Sequence, residues 1–114
     1  METQIIDRQT VEHLEKLLGD NFQVLVSTFE EDAIIKVSSA RRYCDSQHWT
    51  ELSKTIHSLK GACLNIGANQ MVSLCLKIEA ILRDENFTAL DAIVDQLETH
   101  LIDLKVALHE IKVI

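Results

Sequence analysis

The sequence predicts an all-α protein, an antiparallel four-helix bundle with a short extra N-terminal helix. Its 114 residues include no proline and three glycines, Gly19, Gly61 and Gly67, whereas a β protein of this length needs more turn residues. Apolar residues recur with helical spacing nearly everywhere. The interruptions between periodic stretches are short, which sets successive helices side by side and antiparallel.

The first helix is expected from about Arg8 to Leu18. Asp7 is its N-cap, Val11, Leu14 and Leu18 form its stripe, and Gly19 ends it. Asp20 is expected to cap a second helix reaching about Cys44, with Phe22, Leu25, Val26, Phe29, Ala33, Val37 and Ala40 on one face. Phe22 to Val26 also fits a strand. Asp45-Ser46 breaks the pattern and starts a third helix, about Gln47 to Ile66. Its stripe of Leu52, Ile56, Leu59, Cys63 and Ile66 is spaced four, three, four and three, and Gly67 suits the position after its end. A fourth helix, about Asn69 to Arg83, is expected to bury Val72, Cys75, Ile78 and Leu82. Asp84-Glu85-Asn86 is the last loop, and Thr88 with Asp91 resembles a capping box. The final helix carries Leu90, Val94, Leu97, Leu101, Leu104, Leu108 and Ile111, a rhythm suited to shallow-angle bundle packing.

Residues 1–114 are expected to form one domain, long enough to bury roughly 60–70% of its unfolded surface without a disulfide or metal staple. With 46% apolar residues disorder is not expected, and no apolar run approaches a membrane span of about 18 residues. The start, METQIIDRQT, lacks the basic and apolar regions of a secretory signal. A soluble cytoplasmic protein is the expectation. Cys44, Cys63 and Cys75 form no C-x-x-C pair, and Cys63 and Cys75 sit among apolar neighbours, as small buried side chains do. No His, Cys and carboxylate set has metal-binding spacing. The net charge of −7 argues against nucleic acid, although Lys54, Lys60, Lys77 and Arg83 could form a local basic spot.

The third helix carries the chemistry. His57 lies about 100° round from Ile56, off the core stripe, and Lys60, Gly61 and Leu64 follow it at i+3, i+4 and i+7 on the same face. A neutral imidazole, with an ordinary pKa near ~6.5, is a nucleophile at cytoplasmic pH. If a ring nitrogen takes a phosphoryl group, the new negative charge appears within reach of Lys60. Gly61 costs roughly 0.8–1 kcal/mol against alanine in a helix interior, and its bare backbone would let a partner approach to in-line distance. The same residues also fit a solvated His–Lys pair and a glycine that admits a close helix crossing. His13, His48, His100 and His109 lack a Lys-Gly partner and are assigned to surface or interface. Trp49 and Tyr43 are expected to pack over one bundle end.

The string from His57 to Gly61, His-Ser-Leu-Lys-Gly, followed by Asn65-Ile66-Gly67-Ala68, resembles the signature of histidine-containing phosphotransfer (HPt) domains. The resemblance extends more loosely over the chain, through LLGDNFQVLVSTFEEDA before the motif and LCLKIE after it. It implies a four-helix bundle acting in a multi-step phosphorelay, with no ATP site and no cofactor of its own. His57 would accept a phosphoryl group from the aspartate of one receiver domain, such as that of a hybrid sensor kinase, and pass it to a response regulator. Magnesium would belong to the receiver. Lys60, with Arg83 adding positive charge, would stabilise the phosphoryl group. Glu79 matches a position where the family commonly carries Glu or Gln, and it would accept a hydrogen bond from the ring NH. Gly61, Leu64 and Ala68 would meet the docking receiver, with Ile5, Ile6 and Ile35 as further candidates. Leu64 departs from the family, which often has a small residue there. No nucleic acid or membrane partner is implied, and a monomer is expected. A bundle that binds a kinase or receiver without carrying phosphate is the alternative, and a ligand-binding bundle a third reading.

Overall fold

The computed structural model describes residues 4–113, with side chains as far as residue 111. Five α-helices follow one another: α1 (Arg8–Leu18), α2 (Asn21–Asp45), α3 (Trp49–Ile66), α4 (Asn69–Arg83) and α5 (Leu90–Val113), with a 3₁₀ turn at Phe87–Ala89 before the last. Helix α2 packs against α3 and α5, and α4 packs against the same two, so the long helices form a ring, while α1 leans on α2 and α3. The edge between α3 and α4 therefore lies across the bundle from the edge between α2 and α5.

On α3, and on α5 as far as Leu108, the core is the one the periodicity foretells, while the expected Leu14, Leu18 and Ile111 are only partly buried. Leu52, Ile56, Leu59, Cys63 and Ile66 of α3 are buried, as are Leu90, Val94, Leu97, Leu101, Leu104 and Leu108 of α5. On α2 the stretch from Phe22 to Val26 is helical, not strand. Its Phe22, Val26, Phe29, Ala33, Val37 and Ala40 are buried, with Leu25 only half-buried. Helix α4 is rotated from the expected stripe. Met71 and Leu74 join Cys75 and Ile78 in the core, whereas Val72 and Leu82 only border it.

Three end signals read differently in the structure. Asp20 does not cap α2, because its own backbone is already helical at φ −62°, ψ −24°, whereas a capping residue needs an extended backbone to aim its side chain at the first free N–H groups. Helix α3 begins at Trp49, not Gln47, because Gln47 takes a left-handed φ of 61°. Thr88 makes no capping box with Asp91. It lies inside the 3₁₀ turn, and its hydroxyl donates to Asn86 Oδ1 at 3.3 Å. Asp7, by contrast, caps α1 as expected, accepting from the Gln9 N–H at 3.3 Å and the Thr10 hydroxyl at 2.6 Å.

Gly67 positions α1 as well as ending α3. Its φ of +80° is a left-handed conformation that glycine adopts without strain. Its carbonyl accepts the Asp7 N–H at 2.7 Å, and a Cβ built there would stand 2.9 Å from Thr10 Cβ. The turn that leads into α4 is thus also the seat of α1. Trp49 and Phe87 stack face to face at 4.5 Å and 9° where α3 begins and α4 has ended.

Candidate functional site

The α3 stripe turns Ile56 and Leu59 fully inward, and His57, about 100° round from Ile56 and outside that stripe, emerges with its side chain 76% exposed. Lys60, one turn on, is mostly covered, and its Nζ donates to Glu79 Oε1 on α4 at 2.8 Å. The other oxygen of that carboxylate, Oε2, lies 3.6 Å from His57 Nδ1. One carboxylate thus spans an ammonium and an imidazole. The separation from the ring is longer than a hydrogen bond, so the expected direct bond from the ring NH is not formed. The negative charge beside Nδ1 still favours the tautomer with the proton on that nitrogen, leaving the Nε2 lone pair free.

Gly61 is exposed, and a Cβ built on it would meet nothing within 4 Å. The close helix crossing that a mid-helix glycine often serves is therefore not made here. Leu64, one turn further on the same face, is 57% exposed. Ala68 is a correction: it is fully buried and cannot meet a partner. The left-handed turn at Gly67 swings the chain back beneath the end of α3, where the Ala68 N–H donates to Cys63 O at 2.9 Å and its methyl joins the core. Ile5 and Ile6 are partly buried against the core, while Ile35 is exposed. Arg83 is exposed one turn beyond Glu79, and both line an open groove.

The pairing of Lys60 with Glu79 is the feature missed from sequence. The two residues stand 19 apart on different helices, and no local spacing signals such a contact. The sequence likewise gave no sign of the network on the opposite edge. There Arg41 of α2 donates to Glu98 at 2.8 and 2.9 Å, to Asp91 at 2.7 Å, to Asp45 at 3.2 Å and to Asp95. Burial pulls the Arg41 pKa down, but the hydrogen bonds to Glu98, Asp91 and Asp45 outweigh it and hold the guanidinium above its ordinary range.

Among the described residues, Cys44, Asp45 and Asp91 are the one group close enough to share a metal ion. Arg41 already donates to both carboxylates, and burial pushes the Cys44 thiol up, which disfavours the thiolate a metal needs. Burial likewise pushes Cys63 and Cys75 up to about 12. No described helix is long and apolar enough to cross a membrane.

Residues 24–107 match the family model of the Hpt domain. The chain belongs to the Hpt domain family. That membership assigns it a histidine phosphotransfer role in phosphorelay signalling through receiver domains. Solved structures share the fold. Histidine-containing phosphotransfer protein B (HptB) of Pseudomonas aeruginosa PAO1 superposes with a TM-score of 0.88 at 23% identity, covering 93% of this chain and 92% of that one. The maize histidine-containing phosphotransfer protein ZmHP2 gives 0.82 at 18% identity over 94% and 88% of the two chains. MtHPt2 of Medicago truncatula gives 0.76 at 19% over 95% and 79%. No curated protein sequence matches significantly. In this Hpt domain the exposed histidine, the Lys60–Glu79 pair and the unobstructed Gly61 occupy one patch on α3 and α4.

Proposed function

We propose that this Hpt domain is a phosphorelay intermediate in which His57 accepts a phosphoryl group from the aspartyl phosphate of one receiver domain and passes it to the aspartate of another. The observation that carries the assignment is the exposed His57 ring beside an open Gly61, with Lys60 and Glu79 behind it. Nε2 attacks phosphorus, an N–P bond forms, the P–O bond to the receiver aspartate breaks, and that aspartate leaves as a carboxylate. The proton stays on Nδ1, and the cationic ring faces Glu79. Transfer onward reverses these steps at a second receiver. Lys60 supplies countercharge to the phosphoryl oxygens and Arg83 adds positive potential at the rim. Gly61 leaves space for the receiver backbone, and Leu64 is an apolar contact at the docking edge, while Ala68 has no part in it. The domain acts as a monomer, and the magnesium ion and its ligands come with the receiver.

Incubation with a phosphorylated receiver and Mg²⁺ tests the assignment. Wild-type protein gains an acid-labile, base-stable label. His57→Gln gains none yet keeps its fold, since the replaced side chain is mostly in solvent. Label persisting on that variant refutes the role of His57.

A further inference from the structure

Beside the His57 patch, an open groove of about 800 Å³ runs along α3 and α4 toward the stacked pair of Trp49 and Phe87. Glu79 belongs to both, since it lines this groove and lies 3.6 Å from His57 Nδ1. Lys54 stands one turn before His57 on the same face of α3, and Arg83 stands one turn after Glu79 on α4, so the two cations flank the groove. Neither makes an ion pair among the described residues. The carboxylate of Glu79 is already committed to Lys60, which leaves Glu85 as the free negative charge on the groove wall.

With Glu79 balanced by Lys60, Lys54 and Arg83 against Glu85 leave a local net charge of +1, on a chain of net charge −7. The carboxylates of Asp45, Asp91, Asp95 and Glu98 gather instead around Arg41 between α2 and α5, where Asp45 and Asp91 line a separate pocket that also borders the Trp49–Phe87 stack. Charge is therefore segregated, cationic beside His57 and acidic around Arg41. Building on the proposed role of His57, we propose that the Lys54–Arg83 groove is a second contact region for the receiver domain. It takes an acidic loop that borders the receiver's phosphorylated aspartate. An aspartyl site that binds Mg²⁺ needs further carboxylates, and such a partner is repelled by this chain as a whole. The two cations reverse that repulsion at the one edge where transfer takes place, and the Trp49–Phe87 stack supplies a rigid apolar floor. The groove thus orients an approaching receiver as well as attracting it.

The test measures the dissociation constants of a panel of receiver domains from the same organism against three forms of the full chain: wild type, Lys54→Glu and Glu85→Lys. Both substitutions are at exposed positions, and circular dichroism confirms the fold. The tightest receiver is expected to bind Lys54→Glu about tenfold more weakly, with a shallower salt dependence, and Glu85→Lys more tightly. Labelling of His57 by the small donor phosphoramidate, which needs no docking, is expected to be equal in all three. Unchanged affinity and salt slope in both variants overturn the groove while leaving His57 standing. Shifted affinities with no label on wild-type His57 uphold the groove and overturn the acceptor assignment.

Discussion

Replacing Gly61 separates the needs of the fold from the needs of the site. A Cβ at this position enters open space, and the backbone there is ordinary helix. Nothing within the chain therefore opposes a side chain, and Gly61→Ala should stabilise the protein by the full helix-propensity difference, about 0.8–1 kcal/mol. For a domain of this size that raises the melting temperature by about 3–5 °C. Gly61→Gln should gain somewhat less, since glutamine trails alanine in helix propensity. Phosphotransfer is expected to move the other way. A glutamine side chain beside an exposed imidazole holds the receiver off in-line distance, and a misplacement of about 1 Å costs about a hundredfold in rate. The assay pairs a thermal melt with the rate of label transfer from a phosphorylated receiver. A melting temperature that falls would mean that glycine serves the fold. Transfer by Gly61→Gln at the wild-type rate would refute the clearance argument.

Gly67 should respond in the opposite sense. Gly67→Ala forces a side chain into a left-handed φ of +80° and sets a Cβ 2.9 Å from Thr10 Cβ, so a loss of about 2–3 kcal/mol is expected in chemical denaturation. Faster hydrogen exchange in α1 should accompany it, and a loss below about 0.5 kcal/mol would contradict the seating of α1 on this turn. The buried thiols predict an alkaline limit. Cys63 and Cys75 are held up to about 12 against an ordinary 9.0, so unfolding releases their protons once pH exceeds the unfolded value. Stability is then lost as pH rises from about 9 toward the folded value, by about 2 kcal/mol between pH 9 and 10 for the two together. Urea titrations across that range should show the slope roughly halved in Cys75→Ala, and an equal slope would sink the argument.

Much of the candidate site was legible because it is local. His57, Lys60, Gly61 and Leu64 share one helix face by spacing alone, and the buried stripe through Ile56 and Leu59 fixes which way that face looks. Ala68 was misread because it follows a left-handed glycine. Helical periodicity no longer says which way its methyl points once the chain has turned. The α4 stripe was misread because Met71, Val72, Leu74, Cys75 and Leu82 offer two overlapping apolar faces, and only the neighbouring helices choose between them.

By itself the sequence determined five helical segments, the stripes of α3 and α5, and the histidine that a lysine and a glycine accompany. These follow from the helical period and from side chains a few residues apart. Tertiary structure alone decided that Lys60 is held by Glu79, that Arg41 gathers four carboxylates between α2 and α5, and that Gly61 faces open space. Each of these joins residues far apart in the chain or depends on what stands beyond the helix. Backbone periodicity carries no information about either, and only the packing of one helix against another supplies it.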